Sequence, residues 1–240
     1  MILSVSRRTD IPNYYADWFY NRLQEGFLCV RNPMNAHQVS RISLSPAVVD
    51  GIVFWTKNPA GLLSRLDELG AYPYYVQFTL TGYGRDVEPG LPDKRGVLIP
   101  VFRELAAITG PRRVIWRYDP VFISDRYTAA YHRKAFAEIA AALSGYTERV
   151  VISFLDYYKK TERNTAALHI ARISEKEMSA LAGAFAAVAR TYGMEITSCA
   201  EPYDLQRVGV KQGSCIDKAL LEDVIGRRLT GGKDKSQRPA

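Results

Sequence analysis

The chain has 240 residues, of which 47% are hydrophobic and 24% charged, ordinary globular usage that excludes disordered, collagen-like and coiled-coil chains. Its 32 Lys and Arg outnumber 25 Asp and Glu, and the net charge of +7 favours an anionic partner without specifying a fold. Three cysteines are too few for a disulfide framework or for the four thiolates of a typical iron–sulfur cluster, and they point to a reducing cytosol.

No secretory leader is read in Met1–Ser6, which runs straight into Arg7-Arg8. The apolar runs fall short of the roughly 20 residues a membrane span needs. A cytoplasmic protein without a membrane partner is therefore expected.

Six short runs rich in β-branched and aromatic residues read as strands: Ile2–Ser6, Gly51–Thr56, Tyr74–Thr81, Arg113–Tyr118, Arg149–Leu155 and Glu195–Ser198. Most are continuous rather than alternating, the pattern of parallel strands covered on both faces. A helix-period segment follows each and ends at Gly26, Gly70, Gly110, Gly145, Gly193 or Gly226, where a left-handed closing residue is expected. Asn58-Pro59 reads as cap and first helical residue, and Ser174 with Glu177 as a capping box. The stripes Leu62/Leu66/Leu69, Phe136/Ile139/Leu143 and Leu181/Phe185/Val188/Tyr192 keep a helical period. Between the first helix and the second strand, Phe27–Arg31 and Gln38–Leu44 flank Asn32–Asn35 as a hairpin insertion. The expected architecture is thus one α/β domain over residues 1–226, βα repeated six times with a 27–44 hairpin, then a basic tail over 227–240. A partial barrel and a doubly wound sheet both satisfy this pattern.

Ligands of parallel α/β folds bind at the carboxyl ends of the strands. Those ends are polar here: Ser6-Arg7-Arg8-Thr9-Asp10, Trp55-Thr56-Lys57, Gln77 with Thr79 and Thr81, Arg117-Tyr118-Asp119, Ser153 to Lys160 with Asp156, and Cys199-Ala200-Glu201. Such a mixed rim suits a small anionic or zwitterionic substrate. Arg117 and Asp119, two apart on a strand, share one face and serve equally as a structural ion pair. The three tryptophans, Trp18, Trp55 and Trp116, read as core or pocket wall. Gly82-x-Gly84 lacks the following helix of a dinucleotide loop, and His37, His132 and His169 lack metal-ligand spacing. Cys199 and Cys215, sixteen apart, are either half of a metal site or ordinary buried cysteines.

The segments Ser4–Pro12, Val53–Pro59, Gln77–Thr81, Val114–Pro120, Ser153–Asp156 and Ser198–Glu201 together resemble an uncharacterised bacterial family, number 1848 among the domains of unknown function. The resemblance runs from Met1 to Ala240. It implies a C-terminal Cys-x3-Cys-x2-Cys run, similar to the cluster motif of radical S-adenosylmethionine enzymes, and with it a partial TIM-like (βα)6 barrel. The 240 residues end where that run is expected. A [4Fe-4S] cluster and S-adenosylmethionine are therefore expected for full-length members and neither for these residues alone. Cys199 and Cys215 match cysteines of the family pattern, as metal ligands of an auxiliary cluster.

The resulting expectation is the barrel of a radical S-adenosylmethionine-like enzyme. Lys57, Arg117, Asp119 and Asp156 are its candidate catalytic residues, and Ser6, Arg7, Arg8, Asp10, Trp55, Gln77 and Glu201 its candidate cofactor-binding residues. A metal-independent lyase or hydrolase built on Lys57, Asp119 and Asp156 is the rival. The net charge alone raises a nucleic-acid-binding module, against which stands the lack of any basic stripe interleaved with aromatics.

Overall fold

The computed structural model describes residues 1–5, 9–155, 165, 168–199 and 203–229. The strands are β1 Ile2–Val5, β2 Phe27–Asn32, β3 Asn35–Ser43, β4 Gly51–Thr56, β5 Tyr74–Thr79, β6 Val114–Val121, β7 Arg149–Phe154, β8 Glu195–Cys199 and β9 Lys211–Gly213. The helices are α1 Ile11–Tyr14, α2 Ala16–Glu25, α3 Ala60–Leu63, α4 Ile99–Thr109, α5 Ala129–Leu143, α6 Glu175–Thr191 and α7 Lys218–Ile225. The fold is mixed α/β. Seven strands form a parallel sheet in the order β1-β4-β5-β6-β7-β8-β9, and β2 and β3 form a separate antiparallel pair. No closed barrel is found among the described residues. No described helix is long and apolar enough to cross a membrane.

The chain divides into two compact units, residues 1–77 with 218–229, and residues 78–217. In the first, β1 lies parallel to β4 with Ser4 opposite Val53. Chain reversal into β2 needs a left-handed residue after α2, and Gly26 supplies it at φ 75°. The apolar face of α2 buries Phe19 and Tyr20, and Phe54 of β4 meets Phe19 edge-on at 5.5 Å and Tyr74 at 5.9 Å. The Tyr20 hydroxyl donates to the Leu62 carbonyl, which joins α2 to α3. Gly51 leaves room for α7, since a Cβ there would stand 2.8 Å from the Leu221 side chain.

The second unit is built around Phe136 of α5. Its ring stacks on Phe185 of α6 at 4.3 Å and faces Trp116 and Tyr118 of β6 at 4.7 and 5.2 Å. The Trp116 indole nitrogen donates to the Leu80 carbonyl, so this large ring is buried without an orphaned donor. A turn of π-helix over Lys94–Leu98, opened by the Asp93 side chain, leads into α4. Ser174 and Glu177 cap α6 reciprocally, as their spacing predicts.

Several local expectations need correction. Residues 60–69 are not one helix but α3 followed by a 3₁₀ turn, Leu66–Leu69, so Gly70 closes that turn at φ −53° rather than left-handed. Pro59, not Asn58, is the cap of α3; the Asn58 side chain instead accepts from the Ala60 amide one turn early. Trp18 is 43% exposed and is not a core residue. Val188 and Tyr192 are only half-buried; Ala189 takes the stripe's buried place on α6. β6 continues past Tyr118 to Val121, and β9 is a strand with no forecast at all.

Candidate functional site

The second unit assembles a polar cluster at the carboxyl ends of β6, β7 and β8. Side chains alternate along β6, so Trp116 and Tyr118 enter the helix-packed core while Arg117 and Asp119 emerge together on the other face. Arg117 is only 4% exposed, a burial that a guanidinium tolerates only when paired. It pairs with Asp119, donating from Nε at 2.9 Å and Nη2 at 2.5 Å to one carboxylate oxygen. The parallel register of β6 and β7, Tyr118 opposite Ile152, brings in the Ser153 hydroxyl, which donates to the other oxygen. Burial opposes the charge on Arg117. Asp119 and a hydrogen bond to Cys199 more than offset it, so the guanidinium stays firmly protonated.

Cys199 is the last residue of β8, and β9 brings Cys215 to it. The parallel register sets Cys199 opposite Gly213, and a Cβ on Gly213 would meet the Ser198 carbonyl at 2.9 Å and Thr197 at 3.1 Å. Only glycine lets the two backbones approach this closely. Two residues on, the Cys215 sulfur lies 3.2 Å from that of Cys199. Neither thiol is in a disulfide; Cys215 is exposed and Cys199 half-buried. The hydrogen bond between the two sulfurs, with the positive Arg117 beside it, pulls the Cys215 thiol down against the cost of burial. The same hydrogen bond, together with burial, pushes Cys199 up. The arrangement therefore favours one thiolate, on the more accessible sulfur, over a buried guanidinium.

In the first unit the polar residues have mostly local partners. Asp10 caps α1 by accepting from the Asn13 amide at 3.1 Å, and its other oxygen accepts from the Lys57 amide at 2.7 Å. Burial raises its pKa, opposed by these bonds and by the Thr56 hydroxyl. Asp10 thus ties the end of β4 to the start of α1. The Trp55 indole donates to the Ser4 hydroxyl at 3.1 Å, and Gln77 is buried at 3% exposure.

Of the expected site residues, Arg117, Asp119, Cys199 and Cys215 come together in the second unit. In the first, Asp10 caps the start of α1, Trp55 lies in β4 with Lys57 just beyond its end, and Gln77 lies in β5. Ser6, Arg7, Arg8, Asp156 and Glu201 lie outside the described residues. Ser153 was not among the candidates, although a single hydroxyl in the otherwise apolar Val150–Phe154 stretch is a usable signal. Gly213 gave none, because its role depends on which backbone it approaches. Among the described residues no group of three or more His, Cys, Asp or Glu is placed to hold a metal ion.

Residues 2–240 match the family model of a domain of unknown function, DUF1848, and the chain belongs to that family. Among curated proteins none matches the chain.

Proposed function

We propose that this member of the family is the body of a radical S-adenosylmethionine-like iron–sulfur enzyme acting on a small anionic or zwitterionic substrate. Cys199 and Cys215 are then two of its thiolate ligands. The observation that carries the reading is the pair of sulfurs 3.2 Å apart, outside any disulfide, beside the buried Arg117 guanidinium. Two thiolates on one tetrahedral metal, with bonds of about 2.3 Å, stand roughly 3.8 Å apart, so a small side-chain rotation lets this pair share an ion. The donor set does not complete a cluster. The chain has three cysteines, and Cys29 lies exposed on β2 in the other unit. Two positions fit and the remainder do not, so no catalytic step is assigned to the cluster; the radical chemistry would be the cofactor's own.

The chain's own residues hold the site. Arg117 offsets the negative charge of a thiolate pair, Asp119 fixes the guanidinium in one orientation, and Ser153 fixes Asp119. A sheet whose strand order never reverses fits a partial TIM-like barrel better than a doubly wound sheet, which needs a reversal. Cysteines outside any disulfide fit a cytoplasmic setting.

Anaerobic reconstitution with iron and sulfide, followed by desalting, tests the reading. Iron should be retained by the chain and by Cys29→Ser, and lost in Cys199→Ser and Cys215→Ser, with no labile sulfide, because two thiolates do not complete a cluster. Iron retention indifferent to Cys199 and Cys215, or none in any form, would overturn it.

A further inference from the structure

We infer that Cys199 and Cys215 are also a thiol–disulfide exchange site, oxidised to an intramolecular disulfide by low-molecular-weight disulfides such as oxidised glutathione. The inference does not depend on the cluster reading, since it concerns the metal-free pair. Its first support is contact. The sulfurs are 3.2 Å apart in the reduced protein. A disulfide bond is about 2.05 Å long, so closure needs roughly 1 Å of approach. Its second support is asymmetry. Cys215 is exposed and can be reached by a small disulfide, whereas Cys199 is half-buried behind it. That is the arrangement of an attacking thiol with a resolving partner. A third is mechanical. Cys199 is fixed at the end of β8, while Cys215 lies beyond the end of β9 in residues 214–217, outside helix and strand.

The exchange balances in two steps. The Cys215 thiolate attacks one sulfur of glutathione disulfide; the bond from Cys215 to glutathione forms, the glutathione disulfide bond breaks, and the departing thiolate takes a proton. Cys199, losing its proton to solvent, then attacks the Cys215 sulfur. The internal disulfide forms and a second glutathione leaves. Two protein thiols are oxidised by two electrons, and one small disulfide is reduced to two thiols. The closed form has no thiolate for a metal.

The test is mass spectrometry of the full chain in the Cys29→Ser background, stripped of metal with a chelator, reduced, and titrated with oxidised glutathione. The parent should lose two hydrogens, retain no glutathione, and yield a disulfide-linked peptide joining residues 199 and 215. Cys199→Ser should trap glutathione on Cys215. Cys215→Ser should react at least about tenfold more slowly, since the remaining thiol is the less accessible one. Stable glutathione adducts on the parent, or no loss of hydrogens under conditions that glutathionylate Cys199→Ser, would overturn the inference. Both results are read without metal, so they stand apart from iron retention, which tests the proposed function.

Discussion

Asp119 holds the only guanidinium on β6, and the cost of removing it measures how tightly the site is built. Breaking a buried ion pair from one side leaves an uncompensated charge, typically 3–5 kcal/mol. With Arg117 at 5% and Asp119 at 20% side-chain exposure, Asp119→Asn should cost about 3 kcal/mol in urea unfolding. A loss under 1 kcal/mol would mean that Cys199 and solvent already satisfy Arg117. His132 is a separate case of buried polarity. Its Nδ1 accepts from the Tyr118 hydroxyl at 2.8 Å, and Nε2–H donates to the Phe122 carbonyl at 2.8 Å, the neutral tautomer that satisfies both neighbours. Burial lowers its pKa below 6.5, so the folded state takes up a proton less readily than the unfolded chain. Its contribution is complete above pH 6.5 and is lost as pH falls below that value. His132→Gln should therefore flatten the acid side of the stability–pH curve, measured by thermal melts across that range.

At the scale of elements, the continuous apolar runs were legible because both faces of a parallel strand are covered. β4 has the bounds its sequence predicts, and the hairpin of Phe27–Asn32 and Asn35–Ser43 falls within a residue or three of its forecast. β9 was illegible for a physical reason. Lys211-Gln212-Gly213 buries no apolar side chain and is held by backbone bonds to β8, which sequence period cannot register. Yet β9 delivers Cys215. Gly213→Ala must displace β9 or the Ser198 carbonyl, so it should cost roughly 1–3 kcal/mol and slow the exchange between Cys199 and Cys215. Unchanged exchange kinetics in that variant would show that β9 does not position the thiol. The capping box is a simpler element-scale test. Ser174→Ala removes the reciprocal bonds at the start of α6 and should cost about 1 kcal/mol by urea unfolding.

Over the whole molecule, the +7 charge shows why composition reads function poorly. Several of the basic residues sit in ion pairs, such as Arg65 with Asp17 and Glu68, and Arg149 with Glu195 and Asp217. Such surface pairs are worth little energetically and mark solvated faces rather than a ligand track. The cysteine count is blunt in another way. It does not tell that two of the three meet, because the fifteen residues between Cys199 and Cys215 hide that meeting from any linear motif. Asp10 shows the complementary limit. A carboxylate at a strand end reads as a ligand, but here it accepts from the amides of Asn13 and Lys57. The proposed function requires Cys199 and Cys215 to act together as soft metal ligands. Cobalt(II) titration of the reduced, metal-free chain tests this directly, because paired thiolates give an intense sulfur-to-metal charge-transfer absorption. The band should appear in the chain and in Cys29→Ser, and vanish in both Cys199→Ser and Cys215→Ser; a band that survives either of the latter, or fails to form in the chain, would contradict the account.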